Sequence, residues 1–280
     1  MRVVLLALVG CLAACSPAKR DAISMLNAGV KRLEIQDYDT AYGHFKRSVE
    51  IYPENARAYY HLGLIDLHQR RELGLARQHL EKALQLDPKD KDVLLNLGRL
   101  AYVEEKFDEA RQHLEAALVL DKNFALALYF KGEAAFAQGR FDEADKAWRE
   151  AIAIRPTDAR PFLSLAEMYL RFEAFDQAAA VYREGLRHNS NHVDLLEGIG
   201  VMQLRANKVK AAIGSFRTVI SRSPTREESL YNLAFAFMRD EQPDEALTYL
   251  NAYLDNTAHK PGPDRRAAQA LLEVVQTHIE

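Results

Sequence analysis

Hydrophobic and polar positions along the chain repeat with a period of about 34 residues, and within each period the apolar residues follow helical spacing. The segment ARQHLEKALQLDP at 76–88 returns as ARQHLEAALVLDK at 110–122. The alanine that opens both segments belongs to a series at the same repeat position: Ala41, Ala76, Ala110, Ala144, Ala178, Ala212 and Ala246. Four residues after each alanine, on the same helical face, stand Phe45, Leu80, Leu114, Trp148, Tyr182, Phe216 and Leu250. The pattern predicts a tandem array of helical hairpins.

Further positions of the repeat predict how each hairpin is built. Small residues, expected where two helices cross closely, stand 12 positions before the alanine at Gly29, Gly98, Gly132, Ala166, Gly200 and Ala234. Gly63 stands 13 before Ala76, and we expect the extra residue in the turn Arg70–Leu75. Prolines expected to follow the second helix are Pro53, Pro88, Pro156 and Pro224. Aspartates expected as N-caps of the second helix are Asp39, Asp108, Asp142, Asp176 and Asp244.

These positions resemble the tetratricopeptide repeat (TPR), a family of paired helices. The resemblance covers residues 21–260 as seven repeats, at about 22–55, 56–90, 91–124, 125–158, 159–192, 193–226 and 227–260. It implies an all-α fold, a right-handed α-solenoid of about seven TPR helix pairs, because no single hairpin can bury its own apolar face. Residues 264–280 are expected to form a C-terminal capping helix whose apolar side carries Ala267, Ala270, Leu271, Val274 and Val275.

The first residues indicate export and a lipid anchor. Arg2 precedes the apolar run Val3–Ala14, which is too short to span a bilayer of about 30 Å. Leu12-Ala13-Ala14-Cys15 resembles a bacterial lipobox, which implies a signal peptide at 1–14 that is cleaved and a lipidated, palmitate-bearing Cys15. Cys11 also completes such a box, but it leaves a shorter apolar run, and an ordinary cleaved signal is the alternative.

The residues after the lipobox refine the expected location. Ser16 stands where an Asp would resemble an inner-membrane retention signal, so we expect the outer membrane, facing the periplasm. Residues 15–20 are then the lipidated cysteine and a short extended tether, which reaches at most about 18 Å. The folded body would therefore lie close to the bilayer.

Composition and motifs narrow the chemistry. The net charge of −3 gives no reason to expect nucleic acid as a partner, and both cysteines lie within the first 15 residues. No nucleophile, zinc-protease or phosphate-loop motif is present, so we expect no enzyme, no cofactor and no small-molecule substrate. His188 and His192 flank a predicted inter-repeat turn, which favours a solvated loop over a metal site.

The TPR resemblance implies a concave groove lined by the first helix of each repeat. The residues expected to bind a partner there are Arg57, Tyr60, Arg99, Tyr102, Tyr129, Glu133, Phe136, Arg160, Glu167, Tyr231 and Phe235. Tyrosine, phenylalanine and arginine are typical of interface hot spots, although these aromatics could instead pack against the neighbouring repeat. Arg57 and Arg99 precede Asp194, Glu197 and Glu228, so we expect the groove to change from basic to acidic along the chain.

These features together predict a membrane-anchored TPR scaffold lipoprotein that mediates protein–protein interaction in the cell envelope. One version is pilotin-like, similar to TPR lipoproteins that bring secretin subunits of type IV pili or related secretion systems to the outer membrane. A second is an adaptor for periplasmic peptidoglycan hydrolases or proteases, and a third is a non-selective structural spacer. The partner is thus a secretin-like subunit or a wall enzyme, and nothing in the groove chooses between them.

Overall fold

The computed structural model describes residues 16–258 and 263–279, and within these ranges it contains α-helices and no strand. The signal peptide, Cys15 and the segment 259–262 lie outside the described residues. The helices are α1 Pro17–Glu34, α2 Tyr38–Ile51, α3 Ala56–Ile65, α4 Leu73–Leu86, α5 Lys91–Val103, α6 Phe107–Leu120, α7 Ala125–Ala137, α8 Phe141–Ile154, α9 Arg160–Arg171, α10 Phe175–His188, α11 Val193–Arg205, α12 Val209–Arg222, α13 Glu227–Arg239, α14 Pro243–Asn256 and α15 Pro263–Ile279.

The chain divides into two compact units, one ending at Ala147 and the other beginning at Trp148, within α8. In the first unit α1 packs on α2, α3 on α4 and α5 on α6. In the second unit α9 packs on α10, α11 on α12 and α13 on α14, and α15 covers α14. The predicted all-α fold of consecutively packed helix pairs is confirmed.

The crossing of the two helices in each hairpin is as close as the small residues predict. The seven alanines that recur at this repeat position, Ala41 to Ala246, are all fully buried. A Cβ atom placed on Gly63 would lie 2.7 Å from Leu80 Cγ, and one on Gly98 would lie 2.7 Å from Leu114 Cγ. The large apolar residue therefore occupies the space that the missing side chain leaves open.

Each turn inside a hairpin contains one residue in the left-handed region. These residues lie 34 or 35 positions apart and have φ between 56° and 73°: Gln36, Arg71, Glu105, Gly139, Glu173, Asn207 and Glu241. At the end of α5, Lys106 N–H donates to the Ala101 carbonyl at 2.8 Å, which is the long hydrogen bond of a Schellman motif. The same bond closes α7, from Arg140 N–H to the Ala135 carbonyl at 2.8 Å.

The second helices begin earlier than their aspartates predicted. Helix α2 starts at Tyr38 and is capped by Asp37, and α6 starts at Phe107. Asp39 and Asp108 therefore lie in the first turn of the helix, where a carboxylate interacts favourably with the helix dipole, and the N-cap prediction is wrong. The prolines do follow the second helices, as Pro53 after α2 and Pro88 after α4 illustrate.

The extra residue of the second repeat lies inside a helix rather than in the turn after it. Residues Asp66–Arg70 form one π-helical turn that continues α3, and Arg71 then adopts φ 58°. The expectation of a longer turn at Arg70–Leu75 is therefore wrong. A π-turn accommodates one more residue without changing the crossing of Gly63 with Leu80, which stays as close as in the next hairpin.

The two ends of the described chain also differ from expectation. Residues 17–20 begin α1, with the Ser16 hydroxyl accepting a hydrogen bond from Lys19 N–H at 3.2 Å, so they are not an extended tether. In α15 the buried face contains Ala268 and Val275, with Leu271 and Leu272 partly buried beside them. The expected face was misaligned by one residue, because Val274 is exposed.

Candidate protein-binding site

Five side chains from three successive first helices of the first unit form one connected group, here called the aromatic cluster: Tyr60, Asn96, Arg99, Tyr102 and Phe130. Asn96 Nδ2 donates to the Tyr60 hydroxyl at 3.3 Å, and Arg99 Nη1 donates to Asn96 Oδ1 at 3.0 Å. The Arg99 guanidinium lies 5.0 Å from the centre of the Phe130 ring, and the Tyr102 ring lies 6.4 Å from it. Helices α3, α5 and α7 thus contribute to a single surface.

A pocket of about 350 Å³ opens beside the aromatic cluster. Its lining residues are Leu67, His68, Arg71, Leu73, Arg99, Tyr102, Val103 and Phe130. Leu67 and His68 come from the π-helical turn, so we call it the π-turn pocket. The lining is apolar, with two arginines and no carboxylate among its residues.

Burial sets the charge state of the polar groups here. It raises the pKa of Tyr60 to about 12, with Asp92 and Asp90 adding to the effect, so the Tyr60 hydroxyl keeps its proton. It also lowers the pKa of His68, and the nearby Arg99 lowers it further. His68 is therefore neutral at pH 7, and the positive charge of the π-turn pocket comes from Arg71 and Arg99.

The remaining expected residues of the first unit have mixed environments. Arg57 is exposed, whereas Tyr129, Glu133 and Phe136 are half-buried. The Tyr129 ring contacts Phe130 at 5.0 Å between centres. Asn96 and Phe130 were missed because they occupy the sixth position of their helices, next to the positions that the family groove implies.

In the second unit the expected residues are more scattered. Arg160 and Glu167 are exposed, Phe235 is 39% exposed, and Tyr231 contacts Tyr253 at 5.6 Å between ring centres. Tyr231 lines a second pocket of about 250 Å³ together with Glu228 of α13 and Ala267 of α15.

The acidic end of the expected groove is largely occupied by an internal ion pair. Arg226, immediately before α13, donates to Glu197 at 2.6 Å and lies 2.8 Å from Asp194. The Ser229 hydroxyl also donates to Glu197. These carboxylates raise the pKa of Arg226, and the single arginine offsets one of their two negative charges, so the acidic charge at this end is reduced but not removed. Glu228 is exposed, and its Oε2 lies 3.9 Å from Nε of the same arginine.

Residues 16–258 and 263–279 contain neither a cluster of metal-ligand residues nor a membrane-spanning helix. No three or more His, Cys, Asp or Glu side chains in these ranges come close enough together to hold a metal ion. None of the helices there combines the length and the apolar character that crossing a membrane requires.

The helix pairs, their period and their small crossing residues define a TPR protein. A sequence model of the tetratricopeptide repeat matches residues 26–91, 95–159, 163–227 and 204–263. The chain belongs to the tetratricopeptide repeat family. No curated protein sequence matches it.

Solved structures of other TPR proteins share the fold. PilF of Pseudomonas aeruginosa is 25% identical, with a TM-score of 0.66 over 78% of this chain and 98% of PilF. PilW, a type IV pilus biogenesis factor, is 18% identical, with a TM-score of 0.65 over 74% of this chain and 96% of PilW. Yeast Tom70 is 19% identical, with a TM-score of 0.61 over 93% of this chain, which spans only 54% of the Tom70 chain.

Proposed function

We propose that this chain is a lipid-anchored scaffold of the cell envelope that holds a segment of another protein on the first-helix face of its first unit. The observation that carries this proposal is the aromatic cluster, in which three hairpins place tyrosine, phenylalanine and arginine side chains on one surface beside a pocket. Such residues supply much of the binding energy at protein interfaces because they bury large area with little loss of conformational entropy. The proposal assigns no catalytic step to the chain.

The envelope location and the kind of partner rest on sequence similarity. Leu12-Ala13-Ala14-Cys15 supports a lipid on Cys15, which would fix the chain to the outer membrane on its periplasmic side. The likeness to PilF and PilW supports a role in type IV pilus biogenesis. The partner we propose is a secretin-like pilus subunit, and the pilotin-like role is to bring that subunit to the membrane.

The anchor is tested with a matched pair of cysteine variants. We expect Cys15→Ser to abolish incorporation of a palmitate analogue and to release the chain from the membrane fraction. Cys11→Ser serves as the control, because both cysteines lie in the same apolar segment, and it should keep both properties. Loss of labelling in Cys11→Ser with retention in Cys15→Ser would assign the lipid to Cys11 instead. An absence of labelling in both the wild type and the control would refute the proposed lipid anchor.

The partner is tested by affinity capture from detergent-solubilised membranes, with captured proteins identified by mass spectrometry. The wild type is compared with Tyr102→Ala and with Tyr52→Ala, which removes a tyrosine outside the aromatic cluster. We expect a secretin-like subunit with wild type and Tyr52→Ala and at least a tenfold loss with Tyr102→Ala. Peptidoglycan hydrolases in its place would favour the adaptor role, and no selective partner would favour the spacer.

A further inference from the structure

The π-helical turn makes the second repeat different from the others of the first unit. Its extra residue lengthens the end of α3, so Leu67 and His68 reach the pocket wall. In the next repeat α5 ends at Val103 without such a turn. π-Helical turns within α-helices occur frequently at functional sites, and this one forms part of the wall of a pocket.

One buried and one exposed set of contacts hold the π-turn in place from two sides. The Asp66 side chain is fully buried, and its Oδ2 lies 2.7 Å from Nδ1 of His79 on α4. The Arg70 guanidinium stacks 3.7 Å from the centre of the Tyr42 ring on α2 and lies 3.7 Å from Asp39. The turn is therefore packed between α2 and α4, and its far side is left to shape the pocket.

The π-turn pocket combines apolar walls with fixed positive charge. Leu67, Leu73 and Phe130 supply apolar surface, and Val103 is 56% exposed at its edge. Arg71 and Arg99 carry the charge, and no carboxylate belongs to the lining. A volume of about 350 Å³ is large enough to admit one leucine, phenylalanine or tryptophan side chain.

We infer that the π-turn pocket receives a large apolar side chain of a protein segment whose adjacent residues are acidic. The apolar side chain would be buried against Leu67, Val103 and Phe130, and neighbouring carboxylates would meet Arg71 and Arg99. This inference rests on the proposed scaffold function and specifies the chemistry of its partner. The charge of the pocket selects against basic segments, because a desolvated cation beside two arginines is strongly unfavourable.

A peptide selection tests the inference without knowledge of the partner. The full chain in detergent micelles is panned against a phage-displayed library of random peptides of about twelve residues. We expect enriched sequences in which phenylalanine, leucine or tryptophan stands beside Asp or Glu. A synthetic peptide of the enriched sequence is then titrated by fluorescence anisotropy, with Lys in place of its acidic residues as the comparison.

Two pocket variants locate the binding. Arg71→Glu reverses one charge, and it suits the turn because Glu105, Glu173 and Glu241 occupy the equivalent left-handed position in other repeats. Val103→Trp fills the pocket edge. We expect each to weaken peptide binding at least tenfold, whereas the controls Lys46→Glu and Val119→Trp, both at exposed positions of the first unit, leave it unchanged.

The outcomes separate this inference from the proposed function. Enriched peptides without acidic residues, binding unaffected by both pocket variants, or no enrichment at all would overturn the inference. If membrane capture still yields an envelope protein in those cases, the scaffold function stands and only the pocket chemistry fails. If an acidic motif binds the pocket but no envelope protein is captured, the pocket chemistry stands and the envelope role fails.

Discussion

The α3–α4 and α5–α6 hairpins share nearly the same second-helix sequence but place its histidine in different surroundings. His79 lies 2.7 Å from the fully buried Asp66 of the π-turn. His113, at the same repeat position, lies 3.6 Å from Glu109 one turn earlier on its own helix. The identity of one buried residue accounts for the difference. Asp66 stands three residues after Gly63, whereas the equally buried Ala101 stands three residues after Gly98 and offers no carboxylate.

The comparison shows which structural features recur from one repeat to the next and which do not. The close helix crossing recurs, since a Cβ placed on Gly63 or on Gly98 would lie at the same distance from Cγ of Leu80 or Leu114. The polar partners do not recur, because they depend on residues such as Asp66 that are replaced in the next repeat, here by Ala101. A shared repeat position therefore predicts packing of the backbone better than it predicts the contacts of a polar side chain.

The largest expected effect is on the shared crossing. Gly63→Val and Gly98→Val should each lower the free energy of unfolding by about 3 kcal/mol, because the new Cβ would meet both a leucine and a backbone carbonyl, 3.3 Å away in the first case and 3.2 Å in the second. Urea unfolding followed by circular dichroism measures this. Gly43→Val is the control, since a Cβ there meets nothing within 4 Å. Wild-type midpoints for the two crossing variants would contradict the prediction.

The next effect separates the two hairpins. His79→Ala leaves the buried Asp66 carboxylate without its histidine partner and should cost about 2 kcal/mol. His113→Ala removes a longer contact between half-exposed groups and should cost about 0.5 kcal/mol. Chemical unfolding at pH 7 compares them. Adding Asp66→Asn to His79→Ala should restore part of the loss, and equal losses in the two single variants would refute the asymmetry.

A pH dependence distinguishes α3 from α5. Burial lowers the pKa of His61 to about 4, with Arg57 adding to the effect, whereas α5 has the non-titrating Asn96 at the equivalent position. The unfolded chain binds this proton near pH 6.5 and the folded chain does not, so stability should fall by about 2 kcal/mol between pH 7 and pH 4.5. His61→Asn should flatten that part of the curve in thermal melts. Parallel curves for wild type and variant would exclude His61 as the cause.

The smallest effect concerns the paired arginines. Arg77 of α4 contacts Glu104 at 2.6 Å and also bonds to Glu109, which ties two hairpins together, whereas Arg111 lies near Asp108 and Glu115 of its own helix. Arg77→Ala should cost about 1 kcal/mol and Arg111→Ala about 0.3 kcal/mol. The gap should narrow in about 1 M salt. A larger loss for Arg111→Ala would show that the contact between hairpins is the weaker one.

Much of the fold follows from the sequence because period and packing are linked. Residues such as Ala76 and Leu80 recur at fixed spacing, and the crossing they form is the one observed. The π-turn did not follow, because Asp66–Arg70 contains neither glycine nor proline, the residues that usually mark a break in a helix. Whether an insertion lengthens a helix or a loop is decided by buried contacts such as Asp66 with His79.

The candidate site was predictable in part. The sequence identified Tyr60, Arg99 and Tyr102, which the structure brings together with Asn96 and Phe130. It did not reveal that Arg226 pairs with Glu197, because that arginine precedes its helix and lies outside the positions considered. The charges along one helix face therefore do not predict the charge of the groove when a turn residue of the next hairpin pairs with them.

The left-handed turn residues are positions at which directed evolution could increase the stability of this chain. Of the seven positions at positive φ within 16–258 and 263–279, only Gly139 is glycine, and the other six carry side chains that disfavour this backbone conformation. Glycine at each would remove that strain at the expense of a more flexible unfolded chain, for a net gain of about 0.5 kcal/mol. Because the sites recur once per hairpin, a selection for heat resistance could accumulate them one at a time, and sparing Arg71 would keep the charge of the π-turn pocket.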